Sequence, residues 1–459
     1  MRPIRALLRL AASVLLGQLA VIGFGVADTV MLGHYSSTAN LATLSIGQAI
    51  YITLFVSLSG VTQALLPTLG RAYGAGSPAA VAAGFRQGIW LAAGLSVVGI
   101  AVLLWPQPLL ALTGQARDPM VDRYLQILAL GLPAALAFRV HAALSQAISR
   151  PLLTAALQLG GLLAKLLLNA VFLLPQHMGL QDMPSLGATG CALATVLTQY
   201  ALLALALLQH RRSTALQPYA VFSRWDWPDA PAQAQLLRLG APIGMSLLVE
   251  VSAFTFMALF IARLGNTVLA AHQVTANFAT VLYMLPLSIS IATGSVVAQH
   301  LGARAYGAAR HTAWSGVGVA ALLSAGIALA VLLERDRIVG WYTADPQVQA
   351  VARHLFLFIA LYQVFDAVQS TSAFILRSYH IAVLPSVLYA LSLWGVGLGG
   401  GYVLGFNTLG ITPPFLQGAA GFWMGNTTGL ALAASCFAVL LWRVARKPPA
   451  TEPSRGGID

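Results

Sequence analysis

The sequence predicts an all-α membrane protein: twelve transmembrane helices in two pseudo-symmetric six-helix bundles. Three observations predict it. Of 459 residues 58% are hydrophobic and only 8% charged, with a mean hydropathy of +0.78, whereas a soluble domain carries about 25% charged residues. The apolar residues gather into runs that reach or exceed the roughly 20 residues needed to cross a hydrocarbon core. The two halves of the chain also echo each other in sequence.

Polar breaks bound the runs at 10–33, 41–69, 84–105, 120–149, 152–175, 187–209, 238–264, 268–301, 309–333, 348–379, 383–405 and 418–442. The first opens with MRPIRALLRL, which resembles the basic start of a signal peptide, but no small-residue cleavage site follows a short apolar core, so a retained first span is expected. Prolines recur inside or at the mouths of spans, at Pro67, Pro133, Pro242, Pro286 and Pro385. They permit bends, because neighbouring helices or water can satisfy the carbonyls they free. The longest break, HRRSTALQPYAVFSRWDWPDAPAQ, follows the sixth run. It divides the chain into an N-terminal lobe 1–209, an inter-lobe loop 210–237, a C-terminal lobe 238–443 and a tail 444–459.

Basic residues orient the spans. Arg2, Arg5, Arg9, Arg71, Arg86, Arg150, Arg211, Arg212, Arg224, Arg238, Arg304, Arg310, Arg377, Arg443, Arg446, Lys447 and Arg455 fall on one side, against Arg117, Arg123, Arg263, Arg335, Arg337 and Arg353 on the other. The positive-inside rule therefore puts both termini in the cytoplasm. The second span ends in LGRAYGAG (69–76) and the eighth in LGARAYGAA (301–309), while Arg150 after the fourth has a counterpart in Arg377 after the tenth. Six spans separate each matching pair, so the repeats are expected to be parallel, related by an axis along the membrane normal. The net charge of +12 is spread through loops rather than gathered into one nucleic-acid-binding face. Cys191 and Cys436 lie singly in apolar runs and read as packing residues rather than disulfide partners or metal ligands.

Most acids lie in loops, tails or span ends, among them Asp118, Asp122, Asp182, Asp226, Asp229, Glu334, Asp336, Asp345, Glu452 and Asp459. The exceptions are Asp28, Glu250 and Asp366. A carboxylate at the centre of a membrane helix costs roughly 2.5–3.5 kcal/mol, and intramembrane ionisable groups mark ion or substrate pathways. Counting from Arg238 and Arg377 at about 1.5 Å per residue puts Glu250 and Asp366 near mid-bilayer, with Asp28 closer to the outer end of its span. Each of the three can take a proton, Na⁺ or an organic cation; the structural alternative is a hydrogen bond between helices. Arg139 and Lys165 are the only bases well inside spans, each able to neutralise an acid or reach for an interface. His141, His272 and His300, near span ends, read as structural. Phe254, one turn after Glu250, and Tyr283, Tyr362 and Phe365 offer faces for a cation, although aromatics at helical spacing are more often packing. No nucleotide-binding loop, zinc signature or nucleophile elbow accompanies them, so neither an enzyme nor a cofactor is expected.

These residues resemble the multidrug and toxic compound extrusion (MATE) family, in its NorM-type branch. The likeness rests on VADTVMLG, QALLPTLGRAYGAG, QGIWLA, the ISRP turn, LGATGCALAT, APIGMSLLVEVSAF, AAHQVTANF, LYMLPLSIS and YQVFDAVQ, spread from the first span to the tenth. It implies two six-helix lobes around a central cleft, in a bacterial inner-membrane protein, expected to be a monomer. It further implies export of organic cations, drugs and dyes, by antiport against Na⁺ or H⁺. By the same resemblance Glu250 and Asp366 form the C-lobe cation site, with Na⁺ as a candidate ligand. Phe254 and Tyr283 fall where family members place aromatics near that site, and Gln273 near a drug-contact position; with Tyr362, taken from its aromatic face alone, they are the expected substrate contacts, while Asp28, Asn169 and Thr195 match the N-lobe site. Where the family commonly has a second asparagine, four residues before Asn169, this chain has Lys165, which shares a helix face with it. Its ammonium is expected to approach Asp28 and compete with any metal cation there. Rival readings are export of an endogenous metabolite or flipping of a lipid-linked precursor on a related fold. A flippase cavity is expected to hold several central arginines for phosphates, and this chain offers little beyond Arg139.

Overall fold

The computed structural model describes residues 2–107, 118–178 and 185–446. Twelve helices in it are long and apolar enough to cross a membrane, and among the described residues there is no strand. They are α1 (Arg2–Tyr35), α2 (Thr38–Gly74), α3 (Pro78–Leu104), α4 (Pro119–Ala147), α5 (Leu152–Leu173) and α6 (Gly187–Arg212), then α7 (Ala230–Ala262), α8 (Asn266–Gly302), α9 (Tyr306–Tyr342), α10 (Pro346–Ser378), α11 (Val383–Gly405) and α12 (Ala419–Arg446). Several helices run past the apolar stretches that announce them, because hydropathy marks only the lipid-facing length. The end of α9 carries Glu334, Arg335, Asp336 and Arg337, and Asp336 pairs with Arg353 of α10 at 3.2 Å. Helix α7 starts at Ala230, inside the stretch expected to be loop, and α12 continues to Arg446, inside the expected tail. Arg117, Asp182, Lys447, Glu452, Arg455 and Asp459 lie outside the described residues.

Contacts divide the chain into two compact units, Met1–Phe254 and Thr255–Asp459. The division falls within α7 rather than in the loop before it, because the first part of α7 presses against α2. Gly240 sits on Val61, and Gly244 and Gly60 leave room for each other's backbone. In the first unit α4 is the central helix, packed on α2, α3 and α6, while α1 packs on α5 and α5 on α6. In the second, α10 holds the corresponding place against α8, α9 and α12.

Local chemistry sets the helix ends in both units alike. Asp118 and Asp345 each cap a helix whose first residue is proline, accepting from the backbone N–H two residues on at 2.8 Å. Proline forces its predecessor into the extended conformation a cap needs, and loses nothing by lacking the N–H. The ends of α2, α4, α8 and α10 each close on one left-handed residue: Gly76, Ser149, Arg304 and His380. The following N–H reaches back five residues in each case, from Ser77, Arg150, Ala305 and Ile381 at 2.8–3.2 Å. This alignment shifts the expected register of the repeats. In the first unit RAYGA lies ahead of the left-handed residue; in the second, Arg304 is that residue and the rest opens α9. Likewise Arg150 follows its left-handed residue whereas Arg377 precedes its own by three.

Helix α2 is interrupted at Gln63 and Ala64, just ahead of Pro67, whose missing N–H strips the Gln63 carbonyl of its helical donor. Helix α11 widens into π-helical turns over Leu391–Gly399. There Gly397, Gly401 and Gly405 lie directly on Gly421, Gly425 and Gly429 of α12, with no room for a Cβ between the backbones. Small residues four apart on both helices are the usual route to such contact within a membrane.

The stretch between α6 and α7 is strapped to α3. Arg86 Nε donates to Asp226 at 2.5 Å and its Nη1 to the Val221 carbonyl. Gln87 bonds the Trp227 carbonyl and the Asp229 N–H, and Trp90 Nε1 donates to the Asp226 carbonyl at 2.9 Å. Beneath it His210 and His141 share a hydrogen bond at 3.1 Å, enclosed by Phe85 and Phe222.

Candidate functional site

Three helices of the first unit build one polar centre. Asp28 projects from α1, Lys165 and Asn169 from successive turns of α5, and Thr195 from α6. Lys165 Nζ lies 2.9 Å from Asp28 Oδ1, and Asn169 Nδ2 donates to the same oxygen at 2.8 Å. The ammonium also donates to Thr195 Oγ1 at 2.5 Å, and Thr195 in turn donates to the Cys191 carbonyl one turn back. The Cys191 thiol touches the Asp28 carboxyl group as well. The lysine side chain is 1% exposed and the aspartate 4%, so the pair is sealed from solvent. A buried ion pair holds only where further hydrogen bonds serve both charges, and here the amide and the hydroxyl supply them. One acceptor is left over: Asn169 Oδ1 is buried and has no partner among the described residues.

All four residues expected at the N-lobe centre therefore come together, and Lys165 neutralises Asp28. Arg139, the other candidate base, takes a different course. Its guanidinium rests over the Phe55 ring at 5.5 Å, with Tyr51 stacked on Phe55.

In the second unit Asp366 is buried at 4% exposure on the central helix α10. One turn earlier Gln363, wholly buried, donates to the Leu282 carbonyl of α8 at 3.1 Å, next to Tyr283. Its Oε1 has no partner among the described residues. One turn later Ser370 and Thr371 lie 3.2 and 2.9 Å from Ser290 of α8. Tyr283 is half-buried and Gln273 exposed on α8. Tyr362 is buried edge-on against Trp423 of α12, which also meets His272. Its ring thus supports the core of the unit rather than presenting an open face. Glu250 and Phe254 occupy successive turns of α7, both half-buried, and belong by contacts to the first unit.

Sequence reasoning missed Cys191 and Gln363 as members of these polar groups, although both had a signal. Cys191 is one turn from Thr195, and Gln363 one turn from Asp366.

A model of the MatE family matches residues 14–171 and 242–403, stretches that contain Asp28, Lys165 and Asn169, then Glu250 and Asp366. The chain belongs to the MATE family. Within it the likeness is to the NorM type. The probable multidrug resistance protein NorM of Aromatoleum aromaticum is 38% identical over 444 residues, covering 95% of this chain and 93% of that one. The multidrug resistance protein PmpM of Pseudomonas aeruginosa is 34% identical over 452 residues, covering 97% and 92%. Among solved structures, the eukaryotic MATE transporter AtDTX14 superposes with a TM-score of 0.82 at 19% identity, covering 98% of each chain. The Vibrio cholerae MATE transporter VcmN in its bent form gives 0.77 at 18%, covering 97% of each. Both likenesses extend the MATE fold along nearly the whole chain. With twelve spanning helices and bacterial relatives, this is a multi-pass bacterial membrane protein.

Proposed function

We propose that the protein is a secondary multidrug exporter of the inner membrane, expelling organic cations, including aromatic dyes and drugs, in exchange for Na⁺ or H⁺. Membership of a family whose relatives are named multidrug resistance proteins supports the class of activity. The observation that carries the ion coupling is Asp366, a carboxylate buried at mid-length in the central helix of its unit, where a charge is retained only for a return in function. In this reading both termini are cytoplasmic and residues 1–209 and 238–443 are the two lobes, built as parallel repeats. Glu250 and Asp366 are the coupling carboxylates, and Phe254, Gln273 and Tyr283 are drug contacts, with Tyr362 held back against Trp423.

The cycle follows from exclusive occupancy. Outside, Na⁺ or H⁺ neutralises the two carboxylates and the cationic drug departs. Inside, release of the ion restores their charge and draws the next drug molecule. Ion and drug each favour a different conformation, and that differential affinity moves the transporter between them. The test is efflux of an ethidium-like dye in everted vesicles, with a Na⁺ gradient and a proton gradient imposed separately. Transport under one gradient supports exchange and names the ion; transport that needs neither gradient overturns the reading.

A further inference from the structure

We propose that Lys165 is a resident cation that closes the Asp28 centre to Na⁺ and leaves the proton as the ion able to open it. The proposal deepens the exchange reading above by fixing the ion selectivity of one centre, and its test reads that centre directly rather than through efflux.

A small metal cation needs several oxygens converging on it. The oxygen-bearing groups that meet the ammonium or the carboxylate directly are those of Asp28, Thr195 and Asn169; the Tyr124 phenol of α4 and the Cys191 thiol of α6 also act on Asp28, and neither brings a positive charge. The ammonium lies between the first two, 2.9 Å from Asp28 Oδ1 and 2.5 Å from Thr195 Oγ1, and so fills the place a metal would take. Asn169 turns its NH₂ toward Asp28, presenting a donor where a metal needs an acceptor. Na⁺ would have to enter beside a second positive charge in a pocket sealed from water, where repulsion is poorly screened.

A proton meets none of these obstacles. It needs no coordination shell and cancels the charge that holds the ammonium. The new hydroxyl of Asp28 needs an acceptor, and Asn169 Oδ1, buried and without a partner, lies on the same amide that already touches the carboxylate. Rotating that amide half a turn exchanges donor for acceptor. Protonation then leaves Lys165 held by Thr195 alone and removes the ionic tie between α1 and α5, two helices otherwise packed tightly through Gly17 and Gly23. The Asp28 centre thereby links the α1–α5 contact to proton concentration and not to Na⁺.

The experiment compares melting temperatures of the purified full chain in NaCl and in choline chloride at equal ionic strength. Wild type and Asp28→Asn are expected to show the same Na⁺ increment, whatever Na⁺ binds elsewhere. Lys165→Asn, which restores an oxygen and removes the charge, should gain an extra increment of about 2 °C or more, and Asp28→Asn/Lys165→Asn should lose it. A wild-type increment that falls in Asp28→Asn overturns the proposal, as does a Lys165→Asn protein that gains none. Should single variants not fold, infrared difference spectra of wild type decide, with Asp28→Leu/Lys165→Met as the blank because both charges leave together. Acidification should produce a protonated-carboxyl band absent from the blank, while Na⁺ at neutral pH should leave the carboxylate bands as they are in the blank. A Na⁺-induced shift present only in wild type overturns it.

Discussion

Asp28 and Asp366 are alike in burial, at 3% and 4% exposure, and lie in stretches of different composition. Asp28 meets an ammonium from the neighbouring helix together with an amide. One turn before and after Asp366, Gln363, Ser370 and Thr371 of α10 bond to Leu282 and Ser290 of α8, and α10 carries no lysine or arginine between Arg353 and Arg377. Two units built alike, with the same aspartate–proline starts and left-handed helix ends, thus set different residues beside their buried acids. One carries its counter-charge covalently. The other sets an amide and two hydroxyls one turn either side of its acid along the same helix, each bonded to α8.

The sharpest way to break that contrast is through transport. Asp366→Asn is expected to abolish dye efflux in everted vesicles at normal protein levels, with Glu250→Gln doing the same. Lys165→Asn should retain efflux with an altered ion dependence. Near-wild-type efflux from both acid variants would refute their role in coupling.

Stability gives the next largest effect. Lys165→Met leaves a sealed carboxylate without its partner and should cost about 3 kcal/mol, because breaking one side of a buried pair strands the other. Adding Asp28→Leu should recover most of that loss, since replacing both charges with apolar groups is often neutral. Chemical unfolding of the three proteins measures both. A double variant no more stable than Lys165→Met would show that the pair contributes more than charge balance. In the second unit the corresponding sensitivity lies in packing. Gly425→Val puts a side chain where α12 touches the Gly401 backbone, and should cost about 1–3 kcal/mol in the same measurement.

Much of this was legible in the sequence, for reasons that differ by feature. The spans were readable because lipid imposes composition over a fixed length, as the run around Asp28 illustrates. Their ends were not, because backbone hydrogen bonds continue where hydropathy stops: α7 begins at Ala230 among polar residues and α9 carries four charges in its final turns. The repeat was visible in RAYGA, but its register was not, since a left-handed residue is fixed by backbone geometry and Ser149, Arg304 and His380 adopt it without glycine. A better marker, Asp–Pro at 118–119 and 345–346, was there to be read and states the local physics directly. At the first centre, helical spacing put Lys165 and Asn169 on one face, and the lysine's contact with Asp28 followed from the departure at a single position. The seat of Tyr362 did not follow, because whether an aromatic on a helix faces a cavity or a neighbour depends on Trp423, some sixty residues away.

The smallest expected effect tests the neutral side of the comparison. Ser290 bonds back to the Pro286 carbonyl at 2.7 Å, the carbonyl of a proline inside α8, while meeting Ser370 and Thr371 of α10. Ser290→Ala removes all three contacts, yet hydroxyl bonds between membrane helices average only about 0.6 kcal/mol, since the partners left behind find other acceptors along their own helices. Thr371 and Ser370 sit within reach of backbone carbonyls one turn back, as Ser370 already shows at 3.4 Å to Ala367. A loss near 0.6 kcal/mol in chemical unfolding is therefore expected, several-fold below that of Lys165→Met. A loss of equal size would mean that the hydroxyl cluster, like the lysine, supports a charge, and the comparison of the two acids would have to be redrawn around Ser290.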